Sequence, residues 1–369
     1  MTKQSLFQLA IPGVQQLVPY APGKPITELQ RELGLEHIVK LASNENPLGP
    51  GPKAIAAIET ALPDLARYPD GSGFLLKQAL SGRHDISTEQ IVLGNGSNEI
   101  LELLARTFLT PDTEVIFSQH AFAVYPLVTQ AVGAQGKSIP ALNYGHDLDG
   151  MLKAVTANTR MVFIANPNNP TGTFLQHDEL ESFLKSLPKH VICVLDEAYY
   201  EFINEQENFN SRLWLEQFAN FIITRTFSKA YGLAGLRVGY GLSSVEMIDL
   251  LNRVRQPFNN NSLALAAAQA ALDDSDYLHK TLDVNRQGMK QLTKAFSDLN
   301  LSWIPSAGNF VSVDLHRPAF PVYEALLKKG VIVRPVANYE MPNHLRISIG
   351  TLEENQFFID ALSEVLRDV

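Results

Sequence analysis

One cysteine, Cys193, stands in a chain of 369 residues, so no intrachain disulfide can form. It lies in the apolar run Val191-Ile192-Cys193-Val194-Leu195, where a small buried hydrophobe is expected rather than a reactive thiol. No stretch approaches the roughly 20 apolar residues of a membrane span. Residues 1–10 carry no charged segment followed by a long apolar run, so no secretory signal is expected and the cytoplasm is the expected location. Positive charge is in deficit. Lys and Arg total 30 against 39 Asp and Glu, a net charge of −9, with no basic stretch. That argues against nonspecific nucleic-acid binding, though a local cationic pocket stays open. The nine histidines show neither HExxH nor paired spacing, so no structural or catalytic metal is expected. Repeats and low-complexity tracts are also lacking.

The length suffices for two domains and a large core. The first forty-odd residues are rich in turn formers, as in Val18-Pro19-Tyr20-Ala21-Pro22-Gly23, and read as an arm lying on something else. Apolar runs at 91–93, 114–117, 161–165, 191–195, 221–224 and 238–241 read as short buried strands. Amphipathic stretches such as 99–109 and 179–187 read as helices between them. This alternation predicts an α/β domain whose sheet is mainly parallel, with ligands at the carboxyl ends of the strands. Residues 262–299 read as helical and as a link to a smaller α+β domain. That domain's strands fall at 310–315, 331–334 and 345–349, and its helices at 322–329 and 353–366.

The residues able to do chemistry follow these strands. After 91–93 comes Gly94-Asn95-Gly96-Ser97-Asn98-Glu99, opening a helix. Small residues there let backbone N–H groups meet a phosphate, although a simple cap would look the same and the lysine of a P-loop is missing. After 161–165 comes Asn166-Pro167-Asn168-Asn169-Pro170-Thr171-Gly172, which a rigid turn alone would also explain. After 191–195 comes Asp196-Glu197-Ala198-Tyr199. An aspartate at the end of an apolar strand is costly unless paired, by a helix cap or by a pyridinium N–H. After 221–224 comes Thr226-Phe227-Ser228-Lys229, with Arg237 eight positions further (237 − 229). A neutral lysine amine can form a Schiff base with an aldehyde cofactor, and a serine and an arginine can hold its phosphate. Together, and in this order, the four segments point to pyridoxal phosphate.

With Asn-Pro-Thr-Gly, Asp-Glu-Ala-Tyr and Ser-Lys…Arg in sequence, the chain resembles the aspartate-aminotransferase-like enzymes of fold type I over nearly its whole length. The resemblance implies a PLP-dependent aminotransferase fold: a large domain with a mainly parallel sheet plus a smaller α+β domain. The expected division is 1–45 for the arm and part of the small domain, 46–260 for the large domain, and 261–369 for a connecting helix and the small domain. It implies that Lys229 is the Schiff-base lysine and proton shuttle. Asp196 would pair with the pyridine nitrogen and keep the ring an electron sink. Asn169 and Tyr199 would bond the phenolic oxygen, and Gly96, Ser97, Asn98, Ser228 and Arg237 would hold the phosphate. Tyr68 would reach the phosphate in a second subunit, making the active unit a homodimer. Phe122 would stack on the cofactor. It stands where many relatives have tyrosine, inside Ser118-Gln119-His120-Ala121-Phe122, which departs from their usual Pro-Thr-Tyr form.

The branch of the family that acts on histidinol phosphate is the nearest in its details. Leu41-Ala42-Ser43-Asn44-Glu45-Asn46-Pro47-Leu48-Gly49-Pro50, Arg67-Tyr68-Pro69-Asp70-Gly71, Val331-Ile332-Val333-Arg334-Pro335 and Leu345-Arg346-Ile347-Ser348-Ile349-Gly350 carry that resemblance. It implies that Arg346 binds the α-carboxylate, that Arg334 and Tyr20 grip the substrate phosphate, and that Asn44 also lines the substrate site. The expected reaction moves an amino group between histidinol phosphate and 2-oxoglutarate (imidazole acetol phosphate and glutamate), in histidine biosynthesis, with ping-pong kinetics. Two other readings stay open: amino transfer from aromatic amino acids, and decarboxylation of a phosphorylated amino acid.

Overall fold

The computed structural model describes residues 5–19, 23–204, 206–207 and 209–368. Its apolar runs form one seven-stranded sheet. In space the order is Ile91–Gly94, Gly239–Leu242, Phe221–Thr226, Ile192–Asp196, Thr159–Ala165, Glu114–Ser118, Gln135–Ile139. Gly239–Leu242 runs against both neighbours, and the remaining pairs are parallel. The sheet is therefore mainly parallel, with one reversed strand. A hydrophobic run carries no direction, so 238–241 gives no sign of the reversal. The edge strand Gln135–Ile139 is polar and largely exposed, which is why no apolar run announces it.

Successive residues of a strand serve opposite faces. Cys193, Leu195, Val162, Ile164, Phe221 and Ile223 belong to one core. Ile192, Val194, Met161, Phe163 and Ile222 belong to the other. Burial on both sides explains why these strands read as continuous apolar runs. Helices Ser97–Phe108, Val124–Ala131 and Val245–Val254 cover the second core. Helices Phe74–His84, His177–Ser186 and Ser262–Leu272 cover the first.

A third core lies beneath a four-stranded antiparallel sheet ordered Arg334–Pro335, His344–Ser348, Phe310–Asp314, Ser302–Ile304. The expected single strand at 331–334 is split. Val331–Ile332 pairs with Val39–Lys40, while Arg334–Pro335 joins the four-stranded sheet. The expected helix over 262–299 is also two: Ser262–Leu272 and Ser275–Asp298, broken at Asp273 and Asp274. Ser262–Leu272 buries Ala264, Ala267, Ala268 and Ala271 against the large sheet, whereas Ser275–Asp298 sends Leu292 and Phe296 into the third core. The turn-rich arm contains helix Ile26–Leu33, whose Leu29 is buried with Ala42 and Ile332.

Just behind the ends of two central strands sits a buried ion pair. Arg225 Nε donates to Glu197 Oε2 at 2.8 Å, and the side chains are 6% and 2% exposed. The guanidinium lies 3.5 Å from the centroid of the Tyr200 ring. Removing Glu197 would leave the Arg225 charge buried without its ion-pair partner, offset only by the field of Glu201. Glu197→Gln should therefore cost about 3–5 kcal/mol in urea unfolding of the apo-protein, while replacing both partners with Met should recover most of that loss. A Glu197→Gln loss below about 1 kcal/mol would show that the pair does not hold the strands.

Candidate active site

Four strand ends and one strand start meet at the same edge of the large sheet. Gly94 leads to Gly96, Ala165 to Asn169, Asp196 to Tyr199 and Thr226 to Lys229, while Arg237 leads back into Gly239–Leu242. A cavity of about 170 Å³ lies there. Ser97, Asn98, Ser228 and Arg237 line one end; Phe122, Asn169, Asp196, Tyr199 and Lys229 line the rest.

The anion end is built from backbone and guanidinium. Gly96 caps helix Ser97–Phe108 with φ +78°, a conformation L side chains rarely adopt, and a Cβ there would run into the Arg237 guanidinium. The first amides of that helix have no intrahelical acceptor, and the helix dipole favours an anion in front of them. Arg237 Nη1 donates to Ser228 Oγ at 3.3 Å and to the Ala234 carbonyl at 3.1 Å.

Asp196 is buried in the cavity wall. Its Oδ2 accepts a hydrogen bond from the Tyr125 hydroxyl at 2.9 Å, while its Oδ1 has no hydrogen-bond partner among the described residues. Burial pushes its carboxyl up to about 6, opposed first by the bond from Tyr125 and then by the nearby Thr224 hydroxyl and Ala198 N–H. Lys229 Nζ donates to the Ser43 carbonyl at 3.1 Å. Burial brings its amine down to about 8, with the Arg346 cation acting in the same direction. The Tyr199 hydroxyl accepts from Asn44 Nδ2 at 2.9 Å, and burial pushes it up to about 12.

The small sheet supplies the remaining cations. Arg346, buried, donates from Nη1 to Asn169 Oδ1 at 2.5 Å and from Nη2 to the Ala42 carbonyl at 2.7 Å. Arg334 is its direct cross-strand partner, so the two side chains leave the same face of the sheet. Neither lines the cavity; Arg346 and Asn44 touch its walls through Asn169 and Tyr199. Tyr68 is 83% exposed, stacked on Phe258 at 4.9 Å, and outside the cavity of its own chain. Tyr20 lies outside the described residues. Tyr125, which lines the cavity and bonds Asp196, is a residue that motif reading misses. It sits in an apolar helix, and its only signal is its place three residues after Phe122.

An orphaned buried carboxylate oxygen, a lowered amine and an anion cradle surround one cavity. A flat group with a ring N–H, an aldehyde and a phosphate would meet all three, and pyridoxal phosphate is such a group.

Comparison with known proteins agrees. The family described as Aminotransferase class I and II matches residues 36–362. "Histidinol-phosphate aminotransferase 1" of Idiomarina loihiensis is 57% identical over 365 residues, covering 99% of this chain and all of that one. "Histidinol-phosphate aminotransferase 2" of Pseudomonas fluorescens is 60% identical over 360 residues, 97% of each chain. Among solved structures, histidinol-phosphate aminotransferase from Sinorhizobium meliloti in complex with pyridoxal-5'-phosphate superimposes with a TM-score of 0.90 at 30% identity, covering 97% of both chains.

The lowered lysine has a measurable consequence. The rate at which apo-protein takes up pyridoxal phosphate should rise with pH and reach half its maximum near about 8. Arg346→Gln, which removes a neighbouring cation, should move that midpoint upward. A midpoint at the ordinary lysine value would remove burial as the cause.

Proposed function

Since the chain belongs to the class I and II aminotransferase family and uses pyridoxal phosphate, we propose that it transfers the amino group of L-histidinol phosphate to 2-oxoglutarate. The observation that carries the substrate assignment is the pairing of Arg334 with Arg346 on one face of the small sheet, beside Asn169. Arginine binds both carboxylate and phosphate bidentately, so the pair suits a phosphorylated amine and a dicarboxylate in turn. Near-full-length identity to enzymes of that name supports the same substrate. No helix among the described residues is long and apolar enough to cross a membrane, in keeping with a cytoplasmic place.

When bound, pyridoxal phosphate supplies a sink for the electrons left on the substrate's α-carbon as its proton departs. The chain's residues do the rest. Lys229 Nζ accepts that proton and later returns it; an amine held near about 8 is poised for both directions at neutral pH. Asp196 Oδ1 takes the ring N–H and keeps the nitrogen protonated. Tyr199 and the Nδ2 of Asn169 donate to the phenolic oxygen. Ser97, Asn98, Ser228 and Arg237 hold the phosphate, and Phe122 covers the ring. Arg346 takes the carboxylate of the keto acid, and Arg334, with Tyr20 and Asn44, the substrate's far end.

The unit is proposed to be a homodimer in which Tyr68 completes the partner's anion site. Its exposure, and that of the nearby apolar Leu65, Phe74, Leu75 and Phe258, supports this. Lys229→Ala and Tyr68→Ala proteins, each weak alone, should recover activity when their subunits are mixed and exchanged, because one site of each hybrid is intact. No recovery with exchange verified would place Tyr68 in its own chain's chemistry.

The substrate assignment is tested by mixing pyridoxal-phosphate-loaded protein with L-histidinol phosphate, without keto acid, and following the visible absorbance. Rapid conversion to the pyridoxamine form, with phenylalanine far slower, is expected. Conversion by phenylalanine alone would keep the aminotransferase and discard the substrate.

A further inference from the structure

We propose that Tyr125 is a positioning residue for the cofactor ring: its hydroxyl orients Asp196 from below, and its ring orients Phe122 beside it. The inference rests on pyridoxal phosphate occupying the cavity. Tyr125 is fully buried in the first turn of helix Val124–Ala131. Its hydroxyl engages Asp196 Oδ2 and leaves Oδ1 as the unpartnered oxygen. An aspartate carboxylate turns easily about its last bond. The Thr224 hydroxyl and Ala198 N–H also lie close to this one, but the Tyr125 bond, at 2.9 Å, is the one in full hydrogen-bond geometry. Tethered at one oxygen, it presents the other in one direction.

The tether is itself rigid. The Tyr125 ring lies flat on Phe163, with centroids 4.6 Å apart and an interplanar angle of 3°. Phe163 belongs to the strand next to Asp196's own, where it pairs with Val194. Phe122 meets Tyr125 edge-on, at 5.8 Å and 85°. A tyrosine at 122 could be held by a hydrogen bond from its hydroxyl. Phenylalanine cannot, so packing against Tyr125 sets its plane.

The groups facing Asp196 are Tyr125 from the helix, Thr224 from the neighbouring strand, Glu197 and Tyr199 from its own segment, and Lys229 from the loop beyond. Tyr125 favours the ionised carboxylate. Without its hydroxyl, Asp196 would take up a proton at higher pH, and with it lose its hold on the ring N–H.

The test compares wild type, Tyr125→Phe and Tyr125→Leu by titrating apo-protein with pyridoxal phosphate across the acid range, and by visible circular dichroism of the loaded proteins. Tyr125→Phe should bind roughly tenfold more weakly. Its affinity should begin to fall at a higher pH than in wild type. Its kcat should drop with KM for the amino donor unchanged, and its dichroism should be kept. Tyr125→Leu should lose the dichroism as well. A Tyr125→Phe protein of lower thermal stability but wild-type affinity at every pH would reduce Tyr125 to packing and overturn the proposal. Tyr125→Phe keeps the ring, so it carries the test if the leucine variant fails to fold. Wild-type apo-protein that takes up no pyridoxal phosphate would instead overturn the functional reading.

Discussion

Two groups that water would keep charged, the buried Asp196 carboxylate and the half-buried Lys229 amine, stand at one edge of one sheet. Burial drives each towards neutrality, the carboxyl up to about 6 and the amine down to about 8. The same loss of water strengthens the field the carboxylate exerts on any group held in the cavity. Holding both groups there requires that the strand ends not drift. The Arg225–Glu197 pair sits one residue beyond Thr224 and Asp196, on the reverse face, and ties those two strands together. A buried ion pair adds little net stability, but it fixes which side chains meet.

The small sheet, and the bend after Val39–Lys40 that bears Asn44, reach into this site through polar side chains. Arg346 donates to Asn169, Asn44 to Tyr199, and Ser312 to the Pro170 carbonyl at 2.6 Å. Substrate charge and cofactor chemistry are thereby linked. Arg346 helps lower Lys229. A carboxylate seated on Arg346, as proposed, would offset that cation and raise the proton affinity of the amine.

The segment that departs from the family's usual form carries a contact of the same kind. Gln119 Nε2 donates to Glu340 Oε2 at 2.5 Å, and His120 Nδ1 to the Tyr339 carbonyl at 2.7 Å. The loop bearing Phe122 is thus tied to the small sheet's connecting turn. His120 accepts at its own carbonyl from Asn168 Nδ2 at 3.1 Å, which joins the turn preceding Asn169 to the same loop.

Much of this was legible in the residues. Buried strands appear as apolar runs because both faces of the sheet are covered, and the reactive side chains follow those runs because ligands meet strand ends. Gly96, Asp196, Lys229 and Arg237 were legible because each needs a particular residue type in a particular local setting. What periodicity cannot carry is direction, partner or register. It misses the reversal of Gly239–Leu242, the polar edge strand Gln135–Ile139 and the split at Val333. Tyr125 escapes for a related reason: its bond to Asp196 spans 71 residues. By itself the sequence determined the α/β architecture and the cofactor, and it named residues that the structure brings to one cavity, since those depend on composition and short-range order. Only the tertiary structure decided which oxygen of Asp196 is free, which arginines stand side by side and which ring steadies Phe122, since each depends on how distant segments pack.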